Sequence, residues 1–331
     1  MLSFLPAWLN ICITLFLLIL CTAAVSFAIC TVAFLRLMCF GLWHKFFIRT
    51  ANKCMRWWLR RIREIIKITN NAEWQCDIPI SAEFNDSYLL ISNHISWLDT
   101  LVLAAVFADL RPAPKFFLKH SLLYVPFVGW ACWGLDMPFL RRYSRAYLLK
   151  HPEKRFTDIE TSREACKKFS GVPTMMVIFP EGTRFTPEKR DLSKSPYRHL
   201  MQPKPTTIAV ALESLGQQFN KIIDVTLCYP DNPTTPFRDF LAGKLKKVCV
   251  NIREIEITDE LRGSYLTDKQ YKRSFSLWLK ELWQSKEQTM SAMKGDTKDK
   301  ENSAEVRSPS NSNASGAESN SSPETANNSA D

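Results

Sequence analysis

The stretch Tyr88-Leu89-Leu90-Ile91-Ser92-Asn93-His94-Ile95-Ser96-Trp97-Leu98-Asp99 decides fold and chemistry together. Residues 88–91 form an unbroken apolar run, which reads as a strand buried on both faces. Trp97 and Leu98 then lead into Leu101-Val102-Leu103-Ala104-Ala105-Val106-Phe107, so a helix is predicted over residues 97–108. His94 falls in the turn between them, with Ser96 placed to cap the helix. Ligand sites in open α/β sheets gather at the carboxyl ends of strands, which favours this turn. Asp99 comes in the first helical turn, where its carboxylate can hold one imidazole nitrogen and leave the other to take a proton.

A second string repeats the design. The strand-like run Thr174-Met175-Met176-Val177-Ile178 ends in Phe179-Pro180-Glu181-Gly182-Thr183-Arg184. A His-x4-Asp spacing alone is commonplace; two such strings in order, each closing a predicted strand, are not. Together they resemble the glycerolipid acyltransferase family, the 1-acyl-glycerol-3-phosphate acyltransferases and their lysophospholipid relatives. Asn93-His94-x4-Asp99 matches the family's first motif and Phe179–Arg184 its third, both without substitution. Gly134-Leu135-Asp136-Met137-Pro138-Phe139-Leu140-Arg141-Arg142 resembles the second. Its departure is Pro138, which removes a donor and stiffens the approach. The string from Gly134 to Arg145 is especially similar to one branch of bacterial inner-membrane acyltransferases. Lys204-Pro205-Thr206-Thr207-Ile208-Ala209-Val210-Ala211 matches the fourth motif loosely, read as a proline before a strand that lines a substrate pocket.

The resemblance implies acyl transfer from an acyl thioester to the free hydroxyl of a lysophospholipid, foremost 1-acyl-glycerol-3-phosphate, giving phosphatidic acid. His94 is then the general base and Asp99 its orienting carboxylate. Arg142 and Arg184 are the phosphate ligands, since a guanidinium offers paired donors at any working pH. Gly182 lets backbone approach a ligand, Thr183 adds a hydroxyl, and Glu181 either orients Arg184 or accepts from a substrate hydroxyl. Ser96 and Cys132 invite an acyl-enzyme, but the family's pattern takes its hydroxyl from the substrate, so direct transfer is expected. No cofactor is implied, because acyl coenzyme A or acyl carrier protein serves as co-substrate. Two alternatives stay open: another acceptor of lysophosphatidylglycerol or lysocardiolipin type, and a non-catalytic membrane scaffold.

Charge placement decides what the formal net charge of +10 means. Residues 1–35 carry no charge, and 9–35 are almost wholly apolar, enough to cross a bilayer once or enter it as a bent helical pair. Nine Lys and Arg come between 36 and 67, opposed only by Glu64. The positive-inside rule puts the chain beyond residue 36 on the cytoplasmic side, and the resemblance implies the bacterial inner membrane. Phe47, Met55, Trp58, Ile62 and Ile66 recur among these cations at helical spacing, as in a helix lying in the membrane interface or packed on the domain. A basic run tied to such an anchor speaks for lipid rather than nucleic acid as the partner. The ten cysteines show no Cys-x-x-Cys pair and read as small apolar residues.

The expected organisation is a hydrophobic anchor over 1–40, a basic amphipathic helix over 41–70, a catalytic domain over 71–285 and a disordered Ser/Asn-rich tail over 286–331. Within the domain, strands are predicted over 88–91, 115–118, 175–179, 207–211, 222–228 and 247–252, and helices over 97–108, 158–169 and 268–287. Their order gives an α/β fold with a mixed sheet flanked by helices.

Overall fold

The computed structural model describes residues 2–38, 42–77, 86–110, 112–140 and 173–295, with isolated positions between 147 and 169. Two long helices open the chain, α1 (Ala7–Met38) and α2 (Leu42–Thr69). The apolar stripe of α2, including Met55, Leu59, Ile62 and Ile66, is buried, so the helix packs on the domain. It meets α1 as well, where the Trp58 indole donates to Thr22 Oγ1 at 3.1 Å. Polar contacts tie α1 down at both ends. The Leu2 amide donates to the Ile68 carbonyl at 2.8 Å, and Asn10 donates to the Thr69 carbonyl at 3.4 Å. At the far end Arg36 pairs with Asp136 through both guanidinium nitrogens, at 2.7 and 2.9 Å.

The sheet contains β1 (Glu73–Asp77), β2 (Ser87–Ser92), β3 (Pro114–Phe116), β6 (Met175–Ile178), β7 (Phe219–Cys228) and β8 (Lys247–Glu256), in the spatial order β1-β8-β7-β2-β6-β3. Among the described strands only β7 and β8 pair antiparallel, so the sheet is mixed as expected. Strands β7, β2, β6 and β3 run parallel and deliver their carboxyl ends to one edge. A separate two-stranded ladder joins β4 (Leu118–Lys119) to β5 (Phe139–Leu140).

Alternation along β2 divides the molecule in two. Tyr88 and Leu90 face a core shared with α2, α3 (Leu98–Val106) and α4 (Val128–Gly134). Leu89 and Ile91 face a second core built with α6 (Pro205–Leu215) and α8 (Lys269–Lys294). A strand covered on both faces has no polar side, which is why this run is apolar throughout. Two further short helices, α5 (Pro187–Ser193) and α7 (Pro236–Leu241), lie in the connections.

The structure corrects the reading at several places. Residues 207–211, expected as a strand, lie inside α6. Pro205 stands at its start, where a missing N–H costs nothing, and Ile208, Ala211, Leu212 and Leu215 bury one helical face. Strand β1 is unexpected from the sequence, being a short edge strand of mixed polarity. The expected strand over 115–118 breaks into β3 and β4, and α3 starts at Leu98 with Trp97, not Ser96, in the cap position. Ser96 still serves that end, for its hydroxyl accepts from the Leu98 amide at 3.3 Å. Helix α8 runs on to Lys294, past the expected domain end at 285, because Lys286 and Met290 continue its buried face. The helix expected over 158–169 falls largely outside the described residues, though Glu160, Arg163, Glu164 and Cys166 within it are helical.

Candidate active site

Three strand ends build the site. At the end of β2, Asn93 is fully buried and its amide exchanges two hydrogen bonds with Leu227 of β7, donating to the carbonyl at 3.0 Å and accepting from the N–H at 2.8 Å. That pairing fixes the turn against the neighbouring strand. His94 is next, with Nδ1 2.8 Å from Asp99 Oδ2. The same oxygen accepts from the amides of Ile95 at 2.6 Å and Ser96 at 2.8 Å. The other Asp99 oxygen accepts from the Tyr229 hydroxyl, just past the end of β7, at 2.9 Å. A carboxylate that already accepts from three donors offers Nδ1 an acceptor, so Nδ1 carries a proton and Nε2 is left as the basic nitrogen. No described residue bonds to Nε2. Burial and the charge of Asp99 push the Tyr229 phenol well above its ordinary pKa, which keeps it a donor.

The third strand end brings the Phe179–Arg184 turn. The Phe179 ring stacks on the His94 imidazole with centroids 4.2 Å apart, and the Phe185 amide donates to the His94 carbonyl at 2.7 Å. The two motifs, distant in sequence, therefore form one surface. Gly182 has φ +67°, the left-handed region that glycine enters without strain. The Arg184 guanidinium lies 4.5 Å over the Trp97 ring and has no ion pair among the described residues. Lys189, on α5, donates to Thr183 Oγ1 at 3.2 Å and to the Arg184 carbonyl at 3.1 Å, adding a cation to this turn.

Glu181 does not orient Arg184, the first of the two roles expected of it from sequence. It is buried, both carboxyl oxygens lack a hydrogen-bond partner among the described residues, and it makes no ion pair with Arg184. Burial raises its pKa well above the carboxylate range, helped by the charge of Asp99 and opposed by the nearby amides of His94 and Met201 and by Lys286. Cys132 is no candidate for an activated nucleophile, because burial pushes its thiol up to about 12. Arg141 and Arg142 lie outside the described residues. Their approach is described: Asp136 adopts φ +58° and the Pro138 carbonyl accepts from the Leu118 amide at 2.9 Å, which starts the β4–β5 ladder. Among the described residues no group of three His, Cys, Asp or Glu stands together at metal-ligand spacing.

Sequence reasoning misses Tyr229, Trp97 and Lys189. Tyr229 has a usable signal, a polar aromatic just beyond a predicted strand in an α/β sheet. Trp97 reads from sequence only as a helix residue.

The chain is similar to known acyltransferases. A profile of the Acyltransferase family matches residues 66–230. The mouse 1-acyl-sn-glycerol-3-phosphate acyltransferase gamma is 28% identical over 193 residues, covering 55% of this chain and 46% of that protein. Lysocardiolipin acyltransferase 1 of Danio rerio is 24% identical over 221 residues, covering 61% and 51%. The chain thus spans about half the length of these curated relatives. A crystal structure of the 1-acyl-sn-glycerophosphate acyltransferase PlsC from Thermotoga maritima superposes with a TM-score of 0.46 at 17% identity, covering 82% of this chain and 92% of that one. With both motifs inside the matched segment, this chain belongs to the Acyltransferase family.

Proposed function

We propose that this chain is a membrane-bound O-acyltransferase that moves a fatty acyl group from an acyl thioester to the free hydroxyl of 1-acyl-glycerol-3-phosphate. The observation that carries the reading is the Asp99–His94 pair, bonded at 2.8 Å beside an arginine without an ion pair among the described residues. Nε2 of His94 takes the proton of the lysolipid hydroxyl as its oxygen attacks the thioester carbonyl. The thiol of the carrier leaves with a proton returned from the imidazolium. Asp99 holds the ring and stabilises its cationic form. The Ile95 and Ser96 amides are occupied by Asp99, and those of Gly182 and Phe185 by other carbonyls. This leaves the amides of Thr183 and Arg184, without an acceptor among the described residues, to face the developing oxyanion. Arg184 takes the phosphate, and the resemblance adds Arg142 to it.

Membrane association rests on exposed apolar surface. The outward side of α1 carries Trp8, Phe16, Ile19, Phe27 and Phe34. Beside it, Tyr124, Phe127, Trp130 and Trp133 stand exposed before and along α4. Gly134 lets α4 approach closely, since a Cβ there would lie 3.0 Å from the Ala33 Cβ. Aromatic residues of this kind favour headgroup depth. A bacterial inner membrane with the sheet on the cytoplasmic side is the reading drawn from the resemblance and the charge distribution. A lysocardiolipin-type acceptor is the second reading, favoured by the similarity to lysocardiolipin acyltransferases.

The test is transfer of a radiolabelled acyl group by detergent-solubilised protein to lysophosphatidic acid and, separately, to other lysophospholipids. His94→Ala should lose about 10²–10⁴ in rate, the usual contribution of a positioned base. A loss below tenfold would refute the assignment, and transfer only to another lysolipid would replace the acceptor.

A further inference from the structure

Two clefts sit on the face of the sheet opposite α1 and α4. One, of about 560 Å³, begins at Glu181 and Thr183 and is flanked by Lys189 and Lys204. The other, of about 380 Å³, is lined by Tyr197, Arg273, Leu277 and Lys280. They adjoin at Gln202, Pro203 and Pro205, which line both, and taken together as one groove they reach from the Phe179–Arg184 turn to α8. The loop between is held in place. Lys204 donates its amide to the Pro180 carbonyl at 2.8 Å, and the Tyr197 hydroxyl donates to the Lys280 carbonyl at 3.3 Å.

The charge along this groove is one-sided. Lys204, Arg273 and Lys280 are exposed and have no ion pair among the described residues. Among the described residues the only acidic side chain in either wall is Glu181, buried and without a hydrogen-bond partner at the inner end. Exposed Leu192 and Leu277 add apolar surface beside the cations. An elongated ligand with an uncharged arm and phosphate at its outer end matches this pattern.

We propose that this groove is the donor site, holding the phosphopantetheine arm of the acyl thioester, with Arg273 and Lys280 on its phosphates and the thioester delivered past Thr183 to His94. The proposal rests on the acyltransferase reading and adds a division of labour. The lipid acceptor arrives from the side of α1 and α4, and the water-soluble donor from the side of α6 and α8. The same arm occurs on coenzyme A and on acyl carrier protein, and both present phosphate.

The experiment compares wild type with Arg273→Glu/Lys280→Glu, exposed positions whose reversal spares the core. Equilibrium binding of free coenzyme A and of phosphopantetheinylated carrier protein is measured alongside the KM for each substrate. The double variant should bind the favoured carrier about tenfold more weakly and raise the donor KM equally, with kcat and the lysolipid KM unchanged. Which carrier responds identifies the source of the arm. Binding that is absent in wild type for both carriers, or unaltered in the variant, overturns the groove assignment. So does a rise in the lysolipid KM alone. A wild type that binds a carrier but transfers no acyl group would instead overturn the acyltransferase reading.

Discussion

Asp99 is the most heavily bonded side chain of the site, and its partners divide by origin. Two backbone amides and His94 come from its own turn, while Tyr229 reaches across from the next strand. Tyr229→Phe removes that donor and leaves a buried carboxylate oxygen unpaired. Hydrogen bonds to charged groups contribute about 1.5–3 kcal/mol. Lost from the transition state, that lowers kcat by about 10–100-fold. A kcat within twofold of wild type would show that Tyr229 does not hold Asp99 for catalysis. Glu181 makes the opposite case. Its pKa in the folded chain lies above that of the unfolded one. The folded state therefore binds the proton more tightly. Stability is full below the ordinary carboxyl value of about 4.3 and is lost as pH rises from there through the folded pKa. Glu181→Gln, neutral at every pH, should flatten this fall, so its melting temperature should exceed that of wild type increasingly above about pH 5. Parallel pH profiles for the two proteins would mean that folding leaves the Glu181 pKa unshifted.

At the scale of elements, legibility depends on burial and period. Strands β2 and β6 and the turns that close them are readable, because a strand buried on both faces leaves a short apolar run with abrupt ends. Helix α6 is not, because Thr207-Ile208-Ala209-Val210-Ala211 is a buried β-branched run that fits strand and helix alike. The proline ahead of that run is the better clue, standing at the first turn of α6. Helix α8 is expected from its spacing, but its grip on the sheet is not. Lys286 is fully buried, with Nζ 2.6 Å from Asp224 Oδ1 and donating to the Val225 carbonyl at 2.7 Å. Arg253 pairs with Asp224 Oδ2 at 2.6 Å. No pattern within one segment reveals charges that meet only after folding. Lys286→Met strips this carboxylate of its buried partner and should destabilise by about 3–5 kcal/mol in denaturant unfolding. Adding Asp224→Asn should restore part of the loss, because the buried carboxylate is then neutral and the partly exposed Arg253 keeps its charge in contact with solvent. An unchanged midpoint in the single variant would show that α8 holds the sheet by apolar packing alone.

For the whole molecule, the sheet acts as a partition. One face carries the exposed aromatics and α1, and the other carries the cationic groove. The Asn93–Asp99 turn lies at the edge both faces reach. Helix α1 has 32 residues, which at about 1.5 Å each make about 48 Å, ample for a crossing. Yet its first turn is bonded to the end of α2 and its last to Asp136, both parts of the same folded unit. A helix sewn at both ends to one body cannot place those ends in different compartments while that body stays on one side. The geometry fits a float resting in a single leaflet better than a rivet through two. A protease-cleavable tag ahead of Met1 and another after Asp331 should then be cut from the same side of sealed vesicles. Protection of one tag alone would mean that α1 comes away from the domain to cross. If both are cut together, the chain rests on one lipid layer, and under the proposed function acceptor and product would share that layer from start to finish.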